Sequence, residues 1–91
     1  MELRDVWKLK YGTHTIQVEK ILSGEKLFVD GVLQDEQLGF RLSSRLFGKV
    51  KNEEGETEDI KVSIGWRLFK VQCRIFIGER LVHSTDIQWE G

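Results

Sequence analysis

Glycine recurs along this chain at intervals of seven to thirteen residues, and proline is absent. Gly12, Gly24, Gly31, Gly39, Gly48, Gly55, Gly65 and Gly78 cut the sequence into short pieces, with Gly91 at its end. Within those pieces the apolar residues alternate rather than recur every three or four positions. That period places them on one face of a strand, and glycine at such density is costly inside helices. The chain therefore reads as a series of antiparallel hairpins.

The alternation names the faces. Leu3, Trp7, Leu9 and Tyr11 share one, and His14, Ile16 and Val18 share the next. Leu27 and Val29 lead into Asp30-Gly31, a pair that tolerates positive φ at both hairpin positions. Phe40, Leu42, Leu46 and Val50 fall on one face, with Gly48 a candidate bulge. Ile60, Val62 and Ile64 follow a turn from Glu53 to Asp59. Phe69, Val71, Cys73, Ile75 and Ile77 form the longest alternation, and Gly78-Glu79 turns the chain into Leu81, His83, Thr85, Ile87 and Trp89. Gln34 to Leu38 looks helical but is too short to hold a helix. The expectation is one all-β domain over residues 1–91: an antiparallel β-sandwich or flattened barrel of seven to eight strands.

Composition narrows the class. Forty per cent of the 91 residues are hydrophobic, enough for one core without cross-links. Cys73 is the only cysteine, so no internal disulfide can form, and a reducing cytoplasm is the expected compartment. The opening Met1-Glu2-Leu3-Arg4-Asp5 has no leader character, and no apolar run approaches the roughly 18–20 residues of a membrane span. A net charge of −1 argues against a surface that binds nucleic acid globally.

The order of several landmarks carries a resemblance. Trp7, then Gly12-Thr13-His14-Thr15-Ile16, then Ser23-Gly24-Glu25-Lys26-Leu27-Phe28-Val29-Asp30-Gly31 resembles the opening of the Fas apoptotic inhibitory molecule family. Ile75-Phe76-Ile77-Gly78-Glu79-Arg80-Leu81 resembles a later hairpin of that family, and the similarity runs from Trp7 to Ser84. It implies a β-sandwich of about eight antiparallel strands. It also implies action through protein contacts, in death-receptor signalling and in protection against aggregation. Family members carry two modules where this chain has room for one, and the resemblance supplies no catalytic residue.

Chemistry-bearing motifs are sparse. His14, His83 and Cys73 lie on apolar faces without zinc-ligand spacing, so they read as partly buried side chains. Cys73 lacks the cation or helix N-terminus that activates a thiol. Glu53-Glu54-Gly55-Glu56-Thr57-Glu58-Asp59 lacks the alternating carboxylates of a calcium loop and reads as a solvated turn. No cofactor or metal is implied, and the chain reads as non-enzymatic.

One stripe stands out. If Phe40, Leu42, Leu46 and Val50 face inward, then Arg41, Ser43, Arg45, Phe47, Lys49 and Lys51 face outward. Lys61, Lys70 and Arg74 take the same orientation on later strands, with Phe47, Trp66 and Phe76 interleaved. The candidate binding residues are therefore Arg41, Arg45, Phe47, Lys49, Lys61 and Trp66. Such a face holds an anionic partner, or it is an ordinary charged surface that discourages aggregation. The first expectation is a protein-interaction module acting through this face or an edge strand, possible as a homodimer. The second is a small-ligand or anionic-ligand binding domain using Trp66 and Trp89. The third, less expected, is an enzyme with a histidine base.

Overall fold

The computed structural model describes residues 4–67 and 70–84, and the chain there is all-β. Eight antiparallel strands form two sheets of four. The first sheet holds β1 (Arg4–Tyr11), β2 (His14–Ile21), β3 (Gly24–Val29) and β4 (Val32–Leu38). The second holds β5 (Ser43–Lys51), β6 (Thr57–Arg67), β7 (Lys70–Ile77) and β8 (Arg80–Ser84). Each sheet is a meander in chain order, and residues 39–42 carry the chain from one sheet to the other.

Turn chemistry sets these breaks. Asp30 and Gly31 both take positive φ (52° and 80°), as do Gly78 and Glu79 (57° and 69°). Two successive positive φ values give the hairpin twist that matches right-handed strands. Asn52 organises the longer turn before β6, its side-chain oxygen accepting the N–H groups of Glu54 and Glu56 at 3.0 and 2.9 Å. The turn thus closes at Glu56, and Asp59 lies within β6, two residues past the strand's start at Thr57.

The core fills the space between the sheets along the alternating faces. Ile16, Val18, Leu27 and Val29 come from the first sheet; Leu46, Val50, Ile60, Val62, Ile64, Cys73, Ile75 and Ile77 come from the second. Trp7, Leu9, Tyr11 and Val71 pack against its margin. The structure thereby reproduces the expected faces of β2, β3, β6 and β7. Leu3, Phe69, Thr85, Ile87 and Trp89 lie outside the described residues.

Three expectations are corrected. Phe40 and Leu42 are not core residues: they sit exposed in the connection before β5, where the strand ladder has not begun. Gly48 is not a bulge, because it pairs in register with Ile60. At Gly48 β5 lies close against the other sheet: a Cβ there would meet Leu27 Cδ2 at 3.0 Å and Gln34 Cβ at 3.2 Å. The bulges are elsewhere. Gln34 is the extra residue of β4 between Leu33 and Asp35, and Val82 is the extra residue of β8 between Leu81 and His83. The second bulge separates Leu81 from His83, so the two do not share a face. The segment from Gln34 to Leu38, too short to hold a helix, is strand.

The sheets are joined by side chains as well as by the core. Asp35 Oδ2 accepts the Phe47 N–H at 2.8 Å and Gln34 Oε1 accepts the Lys49 N–H at 3.3 Å, so β4 caps the outer edge of β5. At the end holding the β1–β2 and β5–β6 turns, the Tyr11 hydroxyl meets the Glu58 carboxylate, and Arg80 Nη2 donates to Tyr11 Oη at 2.7 Å. At the opposite end Lys20 Nζ lies 5.9 Å from the centre of the Trp66 ring.

Candidate functional site: the outer face of the second sheet

Strand register assembles the candidate site. Directly opposed residues in antiparallel strands share a face, so each register row can be followed across the sheet. One outward row runs Phe47, Lys61, Phe76, Leu81 across β5 to β8. The neighbouring row runs Arg45, Ser63, Arg74, Ser84. On the other side lies Lys49 opposite Asp59. Lys61 extends over Phe76, its Nζ 5.0 Å from the ring centre, a cation–π contact. Among the described residues no carboxylate lies within ion-pair distance of Lys61. Lys49 is paired with Asp59 at 2.5 Å, but both side chains are mostly in solvent, so the pair is worth less than about 1 kcal/mol.

Between the Phe47 row and the Lys49–Asp59 pair lies an open hollow of about 610 Å³, lined by Phe47, Lys49, Asp59, Lys61, Phe76 and Glu79. Phe47 is 55% exposed. An aromatic side chain that open, next to cations on a flat sheet face, is available for contact.

The stripe predicted from sequence is thus partly assembled. Arg45, Phe47, Lys49 and Lys61 lie on one outer face as expected. Arg41 does not join them, because it belongs to the 39–42 connection rather than to β5. Trp66 does not interleave with Phe47 and Phe76: it is opposite Val71, on the inward side of β6. It lies at the end of the sandwich, 39% exposed and tilted against Phe40 with ring centres 6.4 Å apart. Leu22, Leu38, Phe40 and Leu42 are exposed around it, and the Leu42 carbonyl accepts the Trp66 N–H at 2.9 Å. That end of the sandwich is apolar.

Three polar groupings lie apart from the face. Lys20 and Glu25 form an ion pair at 2.6 Å inside the sandwich, with side chains only 3% and 0% exposed. Glu25 Oε1 and the nearby-strand Ser44 Oγ are buried with no hydrogen-bond partner. Neither charge is singled out in the sequence analysis, yet their parity marks both as inward: Lys20 continues Ile16 and Val18, and Glu25 precedes Leu27 and Val29, with the two directly opposed. His14 Nδ1 meets Asp30 Oδ2 at 2.6 Å, and Asp30 Oδ1 accepts the Thr15 N–H at 2.9 Å. These bonds, the His14 contact first, hold the Asp30 carboxyl below its usual range. The third grouping is Tyr11, Glu58 and Arg80, where the bond to Glu58, then burial, pushes the Tyr11 phenol up.

His83 is half-buried opposite Ile75, its Nε2 without a partner, and burial lowers its pKa. Cys73 is buried, and desolvation pushes its thiol up to about 12. A thiol that hard to ionise is no nucleophile at neutral pH. Among the described residues, no three His, Cys, Asp or Glu side chains converge as a metal site, and no helix is long and apolar enough to cross a membrane. No protein-family model, curated protein or solved structure matches the chain.

Proposed function

We propose that this chain is a non-enzymatic protein-interaction module, and that the outer face of the second sheet binds an acidic amphipathic helix of a partner protein. The observation that carries this reading is the row Phe47, Lys61, Phe76, Leu81, with Arg45 and Arg74 in the adjacent row. Neighbouring strands are about 4.8 Å apart, so the row is about 14 Å wide, and a helix is about 10–12 Å across. The partner's apolar stripe would pack on Phe47, Phe76 and Leu81. Its carboxylates would flank that stripe and meet Arg45 and Lys61.

A long polyanion fits this face less well than a short acidic segment. Towards the turn end the outward cations Lys49 and Lys51 are interspersed with carboxylates: Asp59 and Glu79 border the hollow and Glu53, Glu54 and Glu56 follow. A nucleic-acid strand crossing the face would run into those carboxylates.

The test is a titration with a synthetic helical peptide bearing one leucine stripe flanked by glutamates. Phe47→Ala and Phe76→Ala should each weaken binding by more than about fivefold, as expected for aromatic anchors. Arg45→Glu with Lys61→Glu should weaken it further and flatten its salt dependence. Equal affinity in all variants would refute the assignment of the face. Tighter binding of a single-stranded oligonucleotide through the same residues would replace the helix with nucleic acid as the partner.

A further inference from the structure

The second surface is an edge. Among the described residues β1 has β2 on one side and no strand on the other, over eight residues. It differs from the other edges. β5 is capped by Asp35 and Gln34, β4 is turned towards β5 by those same bonds, and β8 is five residues long and interrupted by its bulge.

Which β1 groups face outward follows from β2. The Thr15 carbonyl accepts the Asp30 N–H at 2.8 Å, and the Thr15 N–H goes to Asp30 Oδ1, so Thr15 points its backbone at the β3 side. Backbone direction alternates along a strand. His14, Ile16, Val18 and Lys20 therefore bond β1, through Tyr11, Leu9, Trp7 and Asp5. The free N–H and C=O groups belong to Arg4, Val6, Lys8 and Lys10. Those four residues also carry their side chains on the outer face, opposite Ile21, Glu19, Gln17 and Thr15. Arg4 is held by Glu19 at 3.0 Å and Lys10 Nζ reaches Thr15 Oγ1 at 3.4 Å, while Lys8 is exposed.

A second copy cannot pair along five or more described residues of this edge without opposing like charges. Two copies offering the same free edge pair antiparallel about a two-fold axis normal to the sheet, so outward residues face outward residues. A register centred on Val6 sets Arg4 against Lys8, and one centred on Trp7 sets Arg4 against Lys10. One centred on Lys8 sets it against itself, and one centred on Leu9 sets Lys8 against Lys10. Directly opposed like charges destabilise strand pairs.

We infer that the β1 edge accepts an extended acidic strand from a different protein, and that its charge pattern excludes a second copy of this chain. Antiparallel addition reads β1 backwards. The incoming strand carries acid, any residue, acid, any residue, apolar, from its N- to its C-terminus, opposite Lys10, Lys8 and Val6. Main-chain bonds supply affinity and the alternate side chains supply selectivity. A guarded edge that binds nothing would carry the same cations, so the experiment must separate the two.

The probe is the synthetic peptide Thr-Glu-Thr-Glu-Thr-Val-Thr, beside the same peptide N-methylated at both glutamates and the valine, where it bonds β1. The unmodified peptide should bind and slow hydrogen exchange at the Val6 and Lys8 amides. Lys8→Glu should weaken it by about tenfold, and Lys61→Glu should leave it unchanged, which separates this edge from the sheet-face reading. Unmodified peptide that does not bind, N-methylated peptide that binds equally well, or indifference to Lys8→Glu would overturn strand addition. Val6 and Lys8 exchange that slows as protein concentration rises would overturn the exclusion of a second copy.

Discussion

Removing Lys20 should be among the most damaging single changes available to this domain. Lys20 and Glu25 face each other across β2 and β3, 2.6 Å apart and essentially without solvent. Glu25 already has one carboxylate oxygen with no hydrogen-bond partner. Lys20→Met would leave a charged carboxylate buried with neither an ionic partner nor water, and would remove the cation 5.9 Å from the Trp66 ring. Breaking one side of a buried pair costs about 3–5 kcal/mol. For a chain of 91 residues, with about 2.1 cal/mol/K of unfolding entropy per residue, that lowers Tm by roughly 15–25 °C. The double variant Lys20→Met with Glu25→Leu has no orphaned charge and should return to within about 1 kcal/mol of the parent. Urea unfolding followed by tryptophan fluorescence at pH 7, on both single variants and the double, closes the cycle. A loss below about 1 kcal/mol for Lys20→Met, or a double variant as unstable as the two singles summed, would refute the claim that desolvation dominates this pair.

Cys73 should not react with a disulfide reagent in the folded protein at pH 8 and should react freely in urea; equal rates would contradict its buried, high-pKa environment. His83 should make stability fall with acid. Its folded pKa lies below the ordinary 6.5, so as pH drops through 6.5 the unfolded chain takes up a proton first and gains relative to the folded state. The loss levels off below the folded pKa, and His83→Gln should flatten the urea midpoint between pH 7.5 and 5; an unchanged slope would count against it. The two bulges should respond differently to deletion. Removing Val82 restores a regular β7–β8 ladder, whereas removing Gln34 also uncaps the Lys49 amide and should cost about 1 kcal/mol more by urea unfolding.

Period-two alternation was legible wherever a strand had one dry face. Ile60, Val62 and Ile64, or Cys73, Ile75 and Ile77, need only their neighbours in sequence to be placed. The misplacements have two causes: some depend on where a ladder starts or slips, others on a charged or bulky residue type at a regular inward position. Phe40 and Leu42 keep the parity of Leu46 and Val50, but β5 does not begin until Ser43. Trp66 keeps the parity of Ile64 and so lies on the inward side of β6, yet at the end of the sandwich it is still 39% exposed, and residue type alone left a surface anchor and a core cover both open. The charges of Lys20 and Glu25 hid an inward parity in the same way. Arg45, Phe47, Lys49 and Lys61 were placed correctly because each lies inside a regular ladder, and Lys61 joins Phe47 and Phe76 through register that local sequence does not encode.

The net charge of −1 hides how the charges are sorted. The turns at one end bring together Asp30, Glu53, Glu54, Glu56 and Glu79, with Glu58 just inside β6. Cations line the outer face of the second sheet and the outward side of β1. At physiological ionic strength a charge is felt over about 8 Å, so these groups do not cancel across a sandwich with principal extents of 40, 34 and 20 Å. An acidic partner is therefore repelled at the turn end and attracted along the strands. The face and the β1 edge lie on different sheets, so neither needs the other to be vacant. They differ in what they read: the face offers side chains to a folded surface, and the edge offers main chain to an extended one. That difference makes Lys61→Glu and Lys8→Glu separable perturbations of two binding modes rather than two doses of one electrostatic effect.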